Sequence, residues 1–197
     1  MSESVKNSPG RPRSVQSHQA ILKATLDLLG EVGYERMSIE AIAARAGVGK
    51  PTIYRRYSSK EELVADAIEN SREEILIPDT GTLWGDLELI IESAGRTTLT
   101  PLGRQIKSLI ISTASSNPQF AQVYWSKYLQ PRRQGFRVVI ERAKMRNEIQ
   151  AETDSDLIFD LMSGAMLYAQ IFPPTSEPWE EYIHRALELF LKSNLNT

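Results

Sequence analysis

Apolar residues recur along this chain at three- and four-residue spacing, with no sustained alternation of apolar and polar positions. A stripe with that period buries one face of an α-helix, so the expected fold class is all-α. From Ser14 to about Glu31, Ile21, Thr25, Leu28 and Val32 are joined by Leu22, Leu26 and Leu29 in one wide stripe. Gly33 follows, and a residue tolerant of positive φ is a natural stop. Ser38 stands where an N-cap accepts a backbone N–H, with Met37 and Ile42 spaced as a hydrophobic staple. Ala41, Ala43, Ala44 and Ala46 keep the second helix thin enough for close approach. Gly47 supplies a turn, and Val48 is expected to tuck into the core behind it. Pro51 fits the first turn of a third helix, where its missing N–H costs nothing. Ser59 and Glu62 have the spacing of a capping box, which opens a fourth helix running to about Glu74.

Pro78, Gly81 and Thr82 mark a linker. Helices are expected beyond it at about 83–97, 101–115, 118–130, 132–147, 154–172 and 178–195, with Pro101, Pro118, Pro131 and Pro178 at their boundaries. The organisation read from this pattern has four parts. Residues 1–13 form a polar basic arm, disordered without a partner. Residues 14–60 form a small helical domain, 61–76 a connecting helix, and 77–197 a larger helical domain.

Two short helices around a glycine turn have the layout of a helix-turn-helix that reads the DNA major groove. Ile39, Ile42, Ala46, Val48, Ile53 and Leu63, with Leu28 and Leu29 beneath, are expected to lock the pair at a fixed angle. Lys50, Thr52, Tyr54, Arg55 and Arg56 lie on or near the exposed start of the third helix, and Ser38 opens the second. A lysine donates well to guanine O6 or N7, and a proline ring packs against a thymine methyl, so Lys50 and Pro51 are candidates for base contact. Thr52, Tyr54 and Arg56 are candidates for phosphate. Lys60 adds its charge to the free N–H groups of a helix start, a ready phosphate site. Glu40 either accepts from a cytosine amine or faces solvent.

Charge sharpens this picture. Residues 1–60 hold ten Lys+Arg against five Asp+Glu, and residues 61–197 hold thirteen against twenty, so a +5 segment and a −7 segment make up the net −2. Only the first third is built to meet a polyanion. With no cysteine there is no disulfide framework, thiolate nucleophile or Cys-ligated metal. No run approaches the roughly 18 apolar residues of a membrane span, and the start MSESVKNSPGRPR has no apolar stretch of a signal peptide. A cytoplasmic protein without membrane contact is expected. His18 and His184 are the two imidazoles, far apart in sequence, and no phosphate loop, nucleophile elbow or metal-ligand cluster accompanies them. Asp154-Ser155-Asp156 and Glu180-Glu181 read as acids favoured at helix starts. No catalysis, metal or cofactor is expected.

GVGKPTIYRRYSSKEEL, preceded by IEAIAARA and by Gly33-Tyr34, resembles the DNA-binding domain of the tetracycline-repressor (TetR) family over about residues 15–65. The resemblance implies a bacterial regulator, usually a repressor, that binds a palindromic operator as a homodimer and is released by a small ligand held in the carboxy-terminal domain. Lys50, Pro51 and Tyr54 match positions that touch bases, and Thr52, Arg55, Arg56 and Lys60 match positions that grip backbone. Arg55-Arg56 replaces an aromatic-plus-His pair frequent there, which implies higher non-specific affinity.

Gly10-Arg11-Pro12-Arg13 is similar to the core of an AT-hook; it is either a minor-groove arm using Arg11 and Arg13 or a basic tail of no consequence. The family's last two helices usually form a four-helix bundle between subunits. Here the ninth predicted segment offers Leu157, Ile158, Leu161, Met162, Gly164, Ala165, Met166 and Ala169, and the last offers Tyr182, Ile183, Ala186, Leu187 and Phe190. Of these, Leu157, Leu161, Gly164, Ala165, Tyr182, Ala186 and Phe190 are the expected dimer contacts, the alternative being a monomer's own core. Effector candidates among the middle helices are Trp84, Phe120, Tyr124, Trp125, Tyr128, Phe136 and Met145, whose apolar and aromatic surface suits a hydrophobic or planar molecule. The competing reading is a constitutive or architectural DNA-binding protein, against which the separate domain of about 120 residues argues.

Overall fold

The computed structural model describes residues 11–70 and 77–192, with side chains placed outside 11–14 and 97. Ten α-helices occur among the described residues: α1 (Arg11–Arg36), α2 (Ile39–Ala46), α3 (Lys50–Tyr54), α4 (Lys60–Glu69), α5 (Leu83–Thr98), α6 (Pro101–Ser116), α7 (Pro118–Tyr124), α8 (Gln130–Met145), α9 (Ser155–Ile171) and α10 (Trp179–Leu191). A π-helical turn, Trp125–Leu129, joins α7 to α8. No β-strand forms among the described residues, so the fold is all-α. None of the described helices is long and apolar enough to cross a membrane.

The local signals explain the boundaries. Gly33 breaks the helical dihedrals of α1 at φ 76°, ψ 168°, a backbone that residues with a Cβ rarely adopt. Ser38 caps α2 by accepting from the Ala41 N–H at 3.1 Å. Gly47 closes α2 in the left-handed region, φ 66°, ψ 32°. Ser59 accepts from the Glu62 N–H at 3.1 Å, while the Glu62 carboxylate reaches back to the N–H and hydroxyl of Ser58 instead of Ser59. The reciprocal half of the capping box is thus displaced by one residue. Arg11–Arg13, expected in an extended arm, form the first turn of α1: Pro12 sits where a proline is tolerated in a helix and opens it. Residues 1–10, the end of the connecting helix beyond 70 and the last expected turn after 192 lie outside the described residues, as do the side chains of Arg11 and Arg13.

The chain forms two units. The first joins Met1–Arg72 to Leu109–Tyr124. Its core packs Ile21, Leu22 and Leu29 of α1 against Ile42 of α2, Ile53 of α3, Leu63 and Ile68 of α4, and Phe120 of α7. Val32, expected in the α1 stripe, is exposed, because it follows the last buried turn and immediately precedes the break at Gly33. Val48 is only half-buried, and Ala44 is exposed. Residues 109–124, within the domain expected at 77–197, pack with this first unit. Phe120 is fully buried between Tyr34 and Tyr124, with ring centroids 6.1 and 5.6 Å away, and the Tyr124 hydroxyl donates to Glu69 of α4.

The second unit comprises Glu73–Ser108 and Trp125–Thr197. Leu83, Leu87 and Ile91 of α5 meet Phe136 and Ile140 of α8, Ile158 and Met162 of α9, and Ile183 and Leu187 of α10 in one core. A fully buried carboxylate, Asp86, anchors the start of α5. It accepts from the N–H and hydroxyl of Thr80 at 2.6 and 2.8 Å and lies 3.6 Å from the Arg146 guanidinium. Arg142 donates to the Pro78 carbonyl at 3.1 Å and so ties the same loop to α8.

Candidate nucleic-acid interface

The reading face is built by α2, the Gly47 turn and α3. Ile39, Ile42 and Ile53 are buried beneath it, so the two helix axes are fixed by packing. Gly49 precedes α3 in an extended conformation, Pro51 occupies its first turn, and the Thr52 N–H bonds the Gly49 carbonyl at 2.9 Å. This short helix presents Lys50, Pro51 and Tyr54 outward, Tyr54 at 57% exposure. Thr52 is half-buried. Arg55 is the C-cap and exposed, and Arg56 follows it half-buried in the turn. Ser38 spends its hydroxyl oxygen on the cap of α2.

Two charged residues have partners that sequence reasoning missed. The Lys50 ammonium donates to the Glu40 carboxylate at 2.8 Å, across the turn. That hydrogen bond holds the Glu40 carboxyl below its ordinary range and raises the Lys50 ammonium above its own. Glu40 therefore neither faces solvent unengaged nor stands apart from the recognition helix. Lys60, expected at phosphate, turns into the fold instead: it donates to the carbonyls of Tyr34 at 3.0 Å and Met37 at 3.2 Å, 4.0 Å from the centre of the Tyr34 ring. The carbonyls at and just past the end of α1 thus give the ammonium two acceptors inside the fold.

Behind the face, His18 Nε2 lies 2.8 Å from the Tyr57 hydroxyl, which donates to Asp66 at 2.7 Å. This chain of bonds ties α1 and α4 to the end of the α3 turn. Burial, then the bond to Asp66, raises the Tyr57 phenol well above its ordinary value. Tyr34 is raised likewise by burial and by its bond to Glu61.

The expected effector residues do not share one wall. Phe120 and Tyr124 belong to the core of the first unit, held there by Tyr34 and Glu69. Phe136 is core, packed on Phe159 at 5.7 Å. Met145 is 75% exposed at the end of α8. Trp125 is exposed with Arg133 over its ring, and Tyr128 is half-buried. Trp84 stacks on His184 at 4.6 Å. The cleft beside that pair, about 360 Å³ between α5 and α10, is lined by Glu88, Ile91, Glu92, Glu180, Glu181 and His184. Four of its six lining residues are glutamates, and none of the expected effector residues lines it.

The expected dimer residues divide by face. Leu157, Leu161 and Gly164 of α9 are exposed, while Ala165, Tyr182, Ala186 and Phe190 are half-buried at the edge of the unit's own core. Ile158, Met162, Met166, Ala169, Ile183 and Leu187 point into that core and are not available to a partner. Tyr168, Ile171, Phe172 and Leu189 were missed, and all are exposed. Their signal is plain in retrospect, since 157, 161, 164, 168 and 171 advance by four and three along one helix face.

A locked helix pair with a basic, hydroxyl-rich recognition end, on a chain that also forms a second helical unit, is the arrangement of a helix-turn-helix transcriptional regulator. The family models agree. That of bacterial regulatory proteins, tetR family, matches residues 21–67, and that of the tetracyclin repressor-like C-terminal domain matches residues 77–190. The chain is 31% identical over 160 residues to the HTH-type transcriptional regulator YdeS of Bacillus subtilis (strain 168), covering 81% of this chain and 80% of YdeS. It is 34% identical over 171 residues to the HTH-type transcriptional regulator Rv1556 of Mycobacterium tuberculosis (strain ATCC 25618 / H37Rv), covering 84% and 80%. Among solved structures, the flavonoid-responsive regulator FrrA superposes with a TM-score of 0.69 at 22% identity, covering 92% of this chain and 98% of that one. The chain belongs to the TetR family of bacterial transcriptional regulators.

Proposed function

We propose that this protein is a ligand-responsive repressor that binds a palindromic operator as a homodimer and is released by a small hydrophobic or aromatic effector. The observation that carries the DNA half is the outward face of α3 and its C-cap, where Lys50, Pro51, Tyr54 and Arg55 are exposed above buried Ile53. Lys50, Pro51 and Tyr54 take the base contacts, and Thr52, Arg55 and Arg56 take phosphate. The dimer half is supported by the apolar stripe of Leu157, Leu161, Tyr168, Ile171 and Phe172, a surface too continuous to be left in water. A two-fold axis through that stripe pairs two recognition helices, as a palindrome requires.

Effector control is supported by the second helical unit, which DNA binding alone does not need, and by the shared fold of FrrA, itself a flavonoid-responsive regulator. The chain offers a route between the units. Helix α6 starts in the second unit and ends in the first, and α7 holds α4 through Phe120 and the Tyr124–Glu69 bond. Ligand binding in the second unit shifts α6 and α7, α4 follows, and the recognition helices leave the spacing of roughly 34–36 Å that successive major grooves demand. The effector acts only insofar as it binds that displaced state better.

Selection of binding sites from random duplex DNA tests the reading. Enrichment of two inverted half-sites is the expected result, and a pool with no enriched sequence would refute it.

A further inference from the structure

We infer that Glu40 is a specificity-determining residue of the reading face: it holds the Lys50 ammonium for a guanine and penalises any docking in which that ammonium finds no base acceptor. The inference rests on the DNA-binding reading above and concerns how that same face chooses sequence.

The fold sets the pair. Glu40 is the second residue of α2 and Lys50 the first of α3, on either side of the Gly47 turn. Buried Ile39, Ile42 and Ile53 fix both helices, so the 2.8 Å contact joins two side chains whose backbones are held at a set separation. The Lys50 and Glu40 side chains are 50% and 62% exposed. Ion pairs so open to water and salt contribute little to folding. A carboxylate at the centre of a face that must approach a polyanion therefore needs a reason other than stability.

Docking supplies one. As the groove expels water the effective dielectric falls, and the same carboxylate becomes costly unless it stays paired. An ammonium has three donors. One remains on Glu40, and the other two match the adjacent O6 and N7 acceptors that guanine alone presents in the major groove. Adenine offers N7 beside a donating amine, which would face the ammonium with like polarity, and thymine turns a methyl toward the carboxylate. Only a G·C pair leaves every charge in the arrangement satisfied. On non-specific DNA the carboxylate instead competes with phosphate for Lys50, which weakens that mode. Glu40 thus lowers affinity everywhere and lowers it least at a guanine.

The test compares full-length wild type, Glu40→Gln, Lys50→Met and the double variant by selection from one random duplex pool. Each protein is then titrated against the wild-type-selected duplex and a scrambled duplex of equal length. Glu40→Gln is expected to bind the scrambled duplex several-fold more tightly and to cut the selected-to-scrambled ratio about tenfold. The guanine preference at one position per half-site should disappear. In the Lys50→Met background, adding Glu40→Gln should leave base preference at that position unchanged. An unaltered guanine preference in Glu40→Gln, or equal weakening of both duplexes, overturns the inference, as does a preference shift that persists without Lys50. Failure of the wild type to enrich any site would strike the DNA reading itself, a result distinguishable from these.

Discussion

The Lys60 ammonium sits 4.0 Å above the Tyr34 ring and donates to the Tyr34 and Met37 carbonyls. It joins the start of α4 to the last turn of α1 and to Met37 just beyond it, the stretch that follows the break at Gly33. Tyr34 in turn donates to Glu61, the next residue along α4. Two neighbouring α4 residues thus clasp one tyrosine, one through its ring and carbonyl and the other through its hydroxyl. The orientation of α4 beneath the reading face depends on that clasp.

Replacing Lys60 should therefore act on stability first. Lys60→Met keeps the stem and removes the donors, leaving two carbonyls short of partners at a cost of about 1–3 kcal/mol. Urea unfolding monitored by circular dichroism should show that loss, while the salt dependence of DNA binding keeps its slope. A slope reduced by about one unit per subunit, with stability unchanged, would restore Lys60 to the phosphate contacts.

The same geometry lowers the expected electrostatic footprint. With Lys60 turned into the fold and Lys50 assigned to base edges on the proposed reading, Arg55 and Arg56 are the cations proposed to meet phosphate on each reading face. Four per dimer at about −0.9 each give a log–log slope near −4, measured between about 50 and 200 mM salt. A slope steeper than about −6 would mean that cations beyond Arg55 and Arg56 also meet phosphate.

The fold was legible wherever a local device sets it. Ser38, Gly47, Pro51 and Ser59 each act within four residues of where they stand, and α2 to α4 begin or end at them. Pro101, Pro118, Pro131 and Pro178 likewise stand at or beside the boundaries of later helices. What the sequence concealed was partnership at long range. Phe120 has the same apolar character whether it lines a pocket or packs on Tyr34, which precedes it by more than eighty positions. Glu40 and Lys50, and Lys60 and Tyr34, meet only once turns have brought their helices together. Phe120→Ala tests the reassignment directly. Truncating a fully buried phenylalanine costs about 3–5 kcal/mol, and the loss should appear as destabilisation of the amino-terminal unit, read by faster amide exchange in α4. Unchanged exchange in α4 would return Phe120 to the second unit.

The buried phenols predict an alkaline limit. Tyr57 is raised above the ordinary phenol value of 10.0 by burial and by its bond to Asp66, and Tyr34 by burial and by its bond to Glu61. A group raised on folding contributes stability that is complete below its unfolded value and is lost as pH climbs toward the folded one. The difference in melting temperature between wild type and Tyr57→Phe should therefore be constant from about pH 7 to 9 and shrink above about pH 10. A difference that grows with pH would reverse the assignment.

The α9 stripe gives the sharpest test of assembly. Leu157, Leu161, Tyr168, Ile171 and Phe172 are exposed on α9 and just past its end, and Tyr168 and Phe172 touch at 5.4 Å between ring centroids. Ile158, Met162 and Ala169 hold the opposite face in the core, so a charge placed at Leu161 does not disturb the unit's own packing. Leu161→Glu in both protomers would bring two like charges into a desolvated interface. That is expected to dissociate the dimer, seen as a halved mass by sedimentation equilibrium with the helical circular dichroism spectrum retained. Operator binding should weaken by about a hundredfold or more, because each half-site is then held alone and the advantage of linked binding is lost. Met162→Glu, on the inner face, should instead unfold the unit. If Leu161→Glu sediments with the same mass as wild type, the stripe is not the dimer interface.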